Sequence, residues 1–178
     1  ISDRTIIPGN RLLSSQKYSE RISRFYDPYH QAIDATIDQI LSNSIVPILL
    51  SIHSFTPLWK GVHRPWHVGV LWDQDPRLAQ PLLGNLAAIP NLVVGDNEPY
   101  RGWLRGDSLW KHGTQRGIPH ALIEIRQDEL LSKPSIQKWG EYLSKILTCI
   151  LNEERCRSML QTIQLYGSKT DGDYGLNT

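Results

Sequence analysis

Two apolar runs, each associated with a chemically reactive polar side chain, constrain the fold of this chain more than any other feature. The first covers residues 46–52 (VPILLSI) and ends on His53, and the second covers residues 121–128 (ALIEIRQD) and contains Glu124. Both runs have the length and composition of buried strands. Because an imidazole or a carboxylate is costly to bury without a partner, each needs one, and a metal ion with its bound water satisfies both.

Predicted strands and helices alternate along the chain, which is typical of an α/β sheet covered on both faces by helices. Besides the two apolar runs, the patterns predict helices at residues 28–43, 77–88, 107–111 and 134–151 and strands at residues 68–72 and 91–94. The length of 178 residues is sufficient for one domain with a proper core. We therefore predict a single domain over residues 1–178, with a loose polar tail from residue 167 to residue 178.

Composition argues against several classes of partner. The net charge is +1 and the basic residues are scattered, so the chain lacks the basic stripe that binds nucleic acid. No apolar stretch approaches the roughly 20 residues that cross a bilayer, and the first residues lack the layout of a signal peptide. We therefore expect a cytoplasmic protein without nucleic acid or membrane partners, whose oligomeric state the sequence does not indicate.

The two reactive side chains have plain structural interpretations as well as a catalytic one. In open α/β sheets the ligand site lies beyond the carboxyl ends of the strands, where His53 and Asn97 are predicted to lie. A zinc hydrolase needs about three protein ligands, an open position for water and a nearby carboxylate base. Alternatively, His53 is a hydrogen-bonded rim residue, and Glu124 faces solvent or forms an ion pair with Arg126 on the same strand face.

Four ordered motifs resemble those of the N-formylglutamate amidohydrolase family. They are HSFTP at residues 53–57, RPWHVGVL at residues 64–71, GDNEPY at residues 95–100 and IEIRQD at residues 123–128. The resemblance implies a three-layer α/β/α sandwich with a mostly parallel mixed sheet, like that of the zinc carboxypeptidases and related phosphorylase/hydrolase-like folds. It also implies a zinc cofactor, with His53 as the last of three zinc ligands and Glu124 as the general base that activates a zinc-bound water.

The resemblance further implies two upstream zinc ligands, a His and either a Glu or a second His, which this chain does not present. His63 and His67 have a four-residue spacing, but Pro65 between them argues against a helix that would align both side chains. The chain is therefore expected to be part of a longer polypeptide that holds the whole site.

Substrate-binding candidates follow from residue chemistry and from the resemblance together. A substrate with free carboxylates calls for Arg, and Arg64 is the best candidate for bidentate binding, the alternative being that it packs on Trp66 or caps the loop. Asn97 suits either binding or a tight turn, and His112 either assists the leaving group or binds substrate, the alternative being an exposed loop residue. The full set of candidates is Arg64, His67, Asn97, Tyr100, His112 and Arg126.

The sequence thus predicts zinc-dependent hydrolysis of the amide bond of a small N-acylated amino acid, resembling the conversion of N-formylglutamate to glutamate and formate. One alternative is a related metallo-amidase or carboxypeptidase with another substrate. The other is a non-catalytic binding domain that has lost the upstream zinc ligands.

Overall fold

The computed structural model describes residues 7–171, and the chain divides into two compact units, residues 1–42 and residues 43–178. The first unit contains α1 (Ser15–Arg21), a π-helical segment (Ile22–Tyr26) and α2 (Asp27–Ser42). Helix α1 begins where the Ser14 hydroxyl accepts a hydrogen bond from the backbone N–H of Lys17. The helix predicted at residues 28–43 is confirmed by α2, whereas the single domain stays a prediction.

The second unit is built on a four-stranded mixed sheet. The strands of this unit are β1 (Leu49–Phe55), β2 (Leu58–Trp59), β3 (Val62–His63), β4 (Val68–Leu71), β5 (Val94–Asp96) and β6 (His120–Arg126). The sheet order is β1-β6-β4-β5, while β2 and β3 form a separate antiparallel pair. Strand β1 runs parallel to β6 and β5 runs parallel to β4, whereas β4 and β6 are antiparallel.

Helices flank this sheet. They are α3 (Pro76–Ala87), α4 (Ser108–His112), α5 (Lys133–Asn152) and α6 (Glu154–Leu160). The main core unites α3, α5 and α6 with one face of the sheet, through side chains that include Leu78, Leu82, Ile123, Ile125, Trp139 and Ile146. Helix α4 ends at Gly113, which lies against the ring of His120, and alternation along β6 points that ring to the opposite face. The predicted α/β fold with a mostly parallel mixed sheet is confirmed.

Several strands differ in extent from their prediction: β6 ends at Arg126, after which a 3-10 helix begins, and β1 and β5 differ at the end and the start, respectively. Strand β1 continues two residues beyond His53, because its parallel pairing with β6 extends to Phe55 opposite Arg126. The prediction that His53 ends its strand is therefore wrong, and the imidazole projects from within the sheet. Strand β5 begins only at Val94, because Asn91 has a φ of +63°, in the left-handed region that a strand excludes.

Segments near the end of the described chain also make specific contacts. Residues 167–171, where the predicted loose tail starts, include a backbone N–H of Lys169 that donates to Asp73 Oδ1 at 3.0 Å. The rest of that predicted tail lies outside the described residues. Among residues 7–171, no helix is both long enough and apolar enough to span a lipid bilayer.

Candidate functional site

One row of the sheet carries both residues for which catalytic roles are predicted. His53 of β1 lies beside Glu124 of β6, Glu124 lies beside Gly69 of β4, and Gly69 lies beside Gly95 of β5. Residues in one row of a sheet point to the same face. A single face therefore presents an imidazole, a carboxylate and two positions without side chains.

His53 and Glu124 form a close pair with unequal access to solvent. Nδ1 of His53 lies 3.7 Å from Oε1 of Glu124, which is longer than a hydrogen bond but within ion-pair distance. The His53 side chain is 56% exposed, whereas that of Glu124 is only 7% exposed. The pair thus combines an accessible ring that can bind a metal or substrate with a shielded carboxylate that can exchange a proton.

The two glycines of the row let a loop and an indole ring lie directly on the sheet. A Cβ atom at Gly69 would overlap the carbonyl oxygen of Glu98. A Cβ atom at Gly95 would lie 2.8 Å from Glu98 Cβ and 3.0 Å from Trp66 Cδ1. Glu98 and Trp66 therefore form a wall over the half of the row that lies next to Glu124.

Asn97 fixes the loop that forms this wall. Its Oδ1 accepts hydrogen bonds from the backbone N–H groups of Trp72 at 3.0 Å and Gly102 at 2.9 Å, and its own N–H donates to Val70 O at 2.9 Å. Its φ of +55° is one that Asn tolerates better than most residues. In the structure Asn97 therefore stabilises the loop, and its contact with substrate stays a prediction.

Arg126 holds the loop that precedes β4. Its Nη1 donates to the carbonyl oxygens of three consecutive residues, 64–66, at 3.1–3.2 Å. The carboxylates it contacts are Asp128, at 2.6 Å from Nε, and Glu129, at 3.6 Å from Nη2. The hydrogen bond from Arg126 lowers the pKa of the Asp128 carboxyl below its ordinary value. All three guanidinium nitrogens therefore contact protein oxygens, and direct binding of substrate by Arg126 stays a prediction.

Arg64, Tyr100 and His67 lie on the two loops just described. Arg64 Nη1 donates to the phenolic oxygen of Tyr100 at 3.0 Å, so the structure brings these two predicted substrate residues together. His67 accepts a hydrogen bond at Nδ1 from the N–H of Val93 at 2.9 Å, and its Nε2 lies 3.9 Å from Glu129 Oε1. His67 thus joins the start of β4 to the lead-in of β5.

Two further polar side chains lie at the two ends of helix α4. The Asp107 side chain caps it by accepting the N–H of Trp110 at 2.6 Å, and His112, in its last turn, is 1% exposed. Burial raises the pKa of the Asp107 carboxyl, and the hydrogen bond from Trp110 together with the neighbouring His120 and His53 opposes that rise. Asp107 therefore lies within electrostatic range of His53, a relation that its cap position in the sequence does not reveal.

The described residues offer part of a metal-binding donor set. A structural or catalytic zinc ion takes about three or four protein ligands. Among residues 7–171, no group of three or more His, Cys, Asp or Glu side chains is arranged to hold a metal ion. His63 lies in β3 and His67 lies just before β4, so no helix aligns them. The row presents one imidazole and one carboxylate, which by themselves are fewer donors than a zinc site takes.

Comparisons with known proteins agree with this architecture. A sequence model of the N-formylglutamate amidohydrolase family matches residues 1–131. The crystal structure of gene product Atu2144 from Agrobacterium tumefaciens is similar, with a TM-score of 0.72 and 29% identity over 84% of this chain. The chain spans only 61% of that protein's length. A search of curated proteins found no significant match. Because the family match extends over most of its length, the chain belongs to the N-formylglutamate amidohydrolase family.

Proposed function

We propose that this chain carries one metal ligand and the general base of a metal-dependent enzyme that hydrolyses the amide bond of a small N-acylated amino acid. N-formylglutamate is the proposed type of substrate, with glutamate and formate as products. The observation that carries the proposal is the buried Glu124 carboxylate, whose Oε1 lies 3.7 Å from Nδ1 of the exposed His53. Membership of the amidohydrolase family supports amide hydrolysis as the reaction class.

The proposed role of His53 is to bind the metal, for which zinc is the proposed identity. When bound, zinc supplies a water of lowered pKa and polarises the amide carbonyl. Because the residues before and after His53 are also paired with β6, the sheet fixes the backbone that carries the imidazole. We further propose that the remaining ligands lie in polypeptide outside residues 7–171, since the chain spans 61% of the related structure.

The proposed role of Glu124 is to move one proton. Its carboxylate accepts the proton of the attacking water and then delivers it to the nitrogen of the departing amine. Strand β6 lies between β1 and β4, so the backbone of Glu124 is hydrogen-bonded in the middle of the sheet. The loop packed on Gly69 shields the carboxylate on one side, so water and substrate can approach it only from the other side.

Zinc stoichiometry tests the ligand role. The complete encoded polypeptide is purified as the native protein and as His53→Ala and His63→Ala variants, and zinc is measured by elemental analysis together with formate release from N-formyl-L-glutamate. His63, on the exposed strand β3, is the matched control. We expect about one zinc per chain in the native and His63→Ala proteins and its loss in His53→Ala. Retention of zinc by a folded His53→Ala protein would contradict the assignment.

The same assay distinguishes the alternatives. Release of an acid other than formate from another acyl amino acid would indicate a related metallo-amidase or carboxypeptidase. The remaining alternative is a binding domain without catalysis. A folded, complete polypeptide with neither zinc nor hydrolysis would establish that candidate instead.

A further inference from the structure

The segment after α6, residues 162–171, is anchored near both of its ends, and we call it the strap. Near its start, Nη1 of Arg77 donates a hydrogen bond to Thr162 Oγ1 at 3.3 Å. Near its end, the backbone N–H of Lys169 donates at 3.0 Å to Oδ1 of Asp73, a residue that is only 3% exposed. The backbone of the strap is therefore held next to the turn between β4 and α3.

The ammonium group of Lys169 lies against two indole rings. Its Nζ atom is 4.0 Å from the ring centroid of Trp103 and 5.8 Å from that of Trp72. The face of an indole attracts a cation at such a distance, and Trp gives the strongest interaction of this kind. Because a hydrogen bond already holds the backbone of Lys169, the side chain reaches Trp103 with less loss of conformational freedom than a lysine on a free tail.

Trp103 belongs to the loop that forms the wall of the candidate site, and we call residues 97–103 the wall loop. Its neighbour Gly102 packs directly on Trp72, since a Cβ atom at Gly102 would overlap the backbone of that residue. The same loop carries Glu98, whose carbonyl oxygen lies over the sheet row of the candidate site. A contact that holds Trp103 therefore restricts the loop that covers the site.

A second cation near Trp103 does not make the same connection. Cζ of Arg101 lies 5.5 Å from the centroid of the Trp103 ring, but Arg101 is itself part of the wall loop. Its contact with the ring thus stays inside the loop, whereas the contact of Lys169 joins the loop to the strap, a segment more than 60 residues later in the chain. Lys169 is therefore the cation that can limit the movement of the wall loop.

We propose that Lys169 is a positioning residue of the candidate site, whose ammonium group acts through Trp103 to hold the wall loop against the sheet beside Glu124. The strap lies outside residues 1–131, the part of the chain that the family model matches. Lys169 touches neither member of the His53–Glu124 pair in this proposal, and it acts only by keeping the wall in place. Its effect on substrate binding rests on the proposed function, whereas its effect on the loop does not.

Amide hydrogen exchange tests the effect on the loop without turnover. Exchange of the wall loop amides is measured in the complete polypeptide as the native protein and as Lys169→Gln and Lys169→Arg variants. The N–H of Gly102, which donates to Asn97 Oδ1 at 2.9 Å, reports directly on the loop. We expect Lys169→Gln, which removes the charge, to accelerate this exchange about fivefold. Lys169→Arg keeps a cation for the ring and should restore exchange to within about twofold of the native rate.

Two further variants act as controls. Arg101→Gln removes the other cation near the same ring, so it should change exchange of the wall loop by less than about twofold. In a Trp103→Leu background, Lys169→Gln should add less than about twofold, because the ring that it acts through is gone. If Trp103→Leu fails to fold, judged by circular dichroism, the comparison of Lys169→Gln with Lys169→Arg still decides. Amides of β6 should exchange at the native rate in Lys169→Gln, because the proposed effect is local.

Steady-state kinetics tests the effect on substrate binding. The sheet holds the backbone of Glu124, so loosening the wall should weaken substrate binding more than proton transfer. For formate release from N-formyl-L-glutamate, we expect Lys169→Gln to raise KM at least about threefold and to leave kcat within about twofold of the native value. Lys169→Arg should return KM to near the native value.

Native exchange rates in the wall loop of Lys169→Gln would overturn the inference. So would an acceleration that Lys169→Arg does not reverse, or one that extends equally to β6. Faster exchange of the wall loop with an unchanged KM would overturn the link between the strap and the site. Absence of formate release from the native complete polypeptide contradicts only the proposed function, and the exchange rates then decide the inference by themselves.

Discussion

At the scale of single residues, the site depends on positions that carry no side chain as much as on those that do. Gly69 lies beside Glu124, and a Cβ atom there would overlap the carbonyl oxygen of Glu98. That oxygen belongs to the backbone of a loop fixed by Asn97, so it cannot move aside as a flexible side chain would. The identity of residue 69 therefore controls how closely the loop approaches the carboxylate.

Gly69→Ala is expected to destabilise the protein by about 2 kcal/mol or more, because an overpacked contact with backbone cannot relax easily. Gly84→Ala in α3 is the matched control, since a Cβ atom at Gly84 has no neighbour within 4 Å. That change should raise the free energy of unfolding by about 0.5–1 kcal/mol, because Ala favours the helix. Urea denaturation measures both values, and equal stability of the two variants would contradict the close approach.

Asp128→Asn provides a test of the Arg126 contacts by pH. The hydrogen bond from Arg126 lowers the pKa of Asp128 in the folded protein, so the folded state binds the proton less tightly than the unfolded chain. The resulting stabilisation is present above the ordinary carboxyl pKa of about 3.9 and is lost as the pH falls through the lowered value. The native protein should exceed Asp128→Asn in stability at pH 7, with a gap that narrows below about pH 4. A gap independent of pH would contradict this ion pair.

At the scale of elements, a buried ion pair joins three segments that are far apart in sequence. Arg77, in the first turn of α3, is 2% exposed and pairs with Asp75 at 2.6 Å. Its Nη2 donates to Gly117 O at 2.9 Å, and its Nη1 donates to the carbonyl oxygen of Thr162. The pair therefore connects the start of α3, the lead-in to β6 and the segment after α6.

Arg77→Met should destabilise the protein by about 3–5 kcal/mol, because it leaves the buried Asp75 carboxylate without its main partner. The double variant Arg77→Met/Asp75→Leu removes both charges and should recover part of that loss. Thermal or urea denaturation of the native protein, the single variant and the double variant measures both changes in stability. A loss below about 1 kcal/mol in Arg77→Met would show that the pair does not hold these segments together.

Several elements were predictable from local pattern, and others were not. Apolar periodicity indicated α2, α3 and α5, and continuous apolar runs indicated β4 and β6. The extent of β1 depended on its pairing with β6, whose residues lie about 70 positions later in the chain. The start of β5 depended on the left-handed backbone of Asn91, which residue type alone does not specify.

At the scale of the whole molecule, the candidate site is a product of strand order. Motifs identified His53 and Glu124 separately, but only the order β1-β6-β4-β5 places them in one row with Gly69 and Gly95. Residue chemistry also suggested both Arg64 and Arg126 for substrate. Their surroundings distinguish them, because Arg126 contacts protein oxygens with all three nitrogens while Arg64 donates hydrogen bonds only from Nη1 among the described residues.

The general-base role of Glu124 is tested by kcat for formate release from N-formyl-L-glutamate, measured on a Glu124→Gln variant of the complete polypeptide. Its control is Glu141→Gln on α5, where the Glu141 carboxylate accepts a hydrogen bond from Gln137. We expect kcat to fall by about 10²–10⁴-fold in Glu124→Gln, at unchanged zinc content, and to stay near the native value in the control. A folded, zinc-loaded Glu124→Gln protein with kcat within about twofold of the native value would contradict the role of Glu124 as general base.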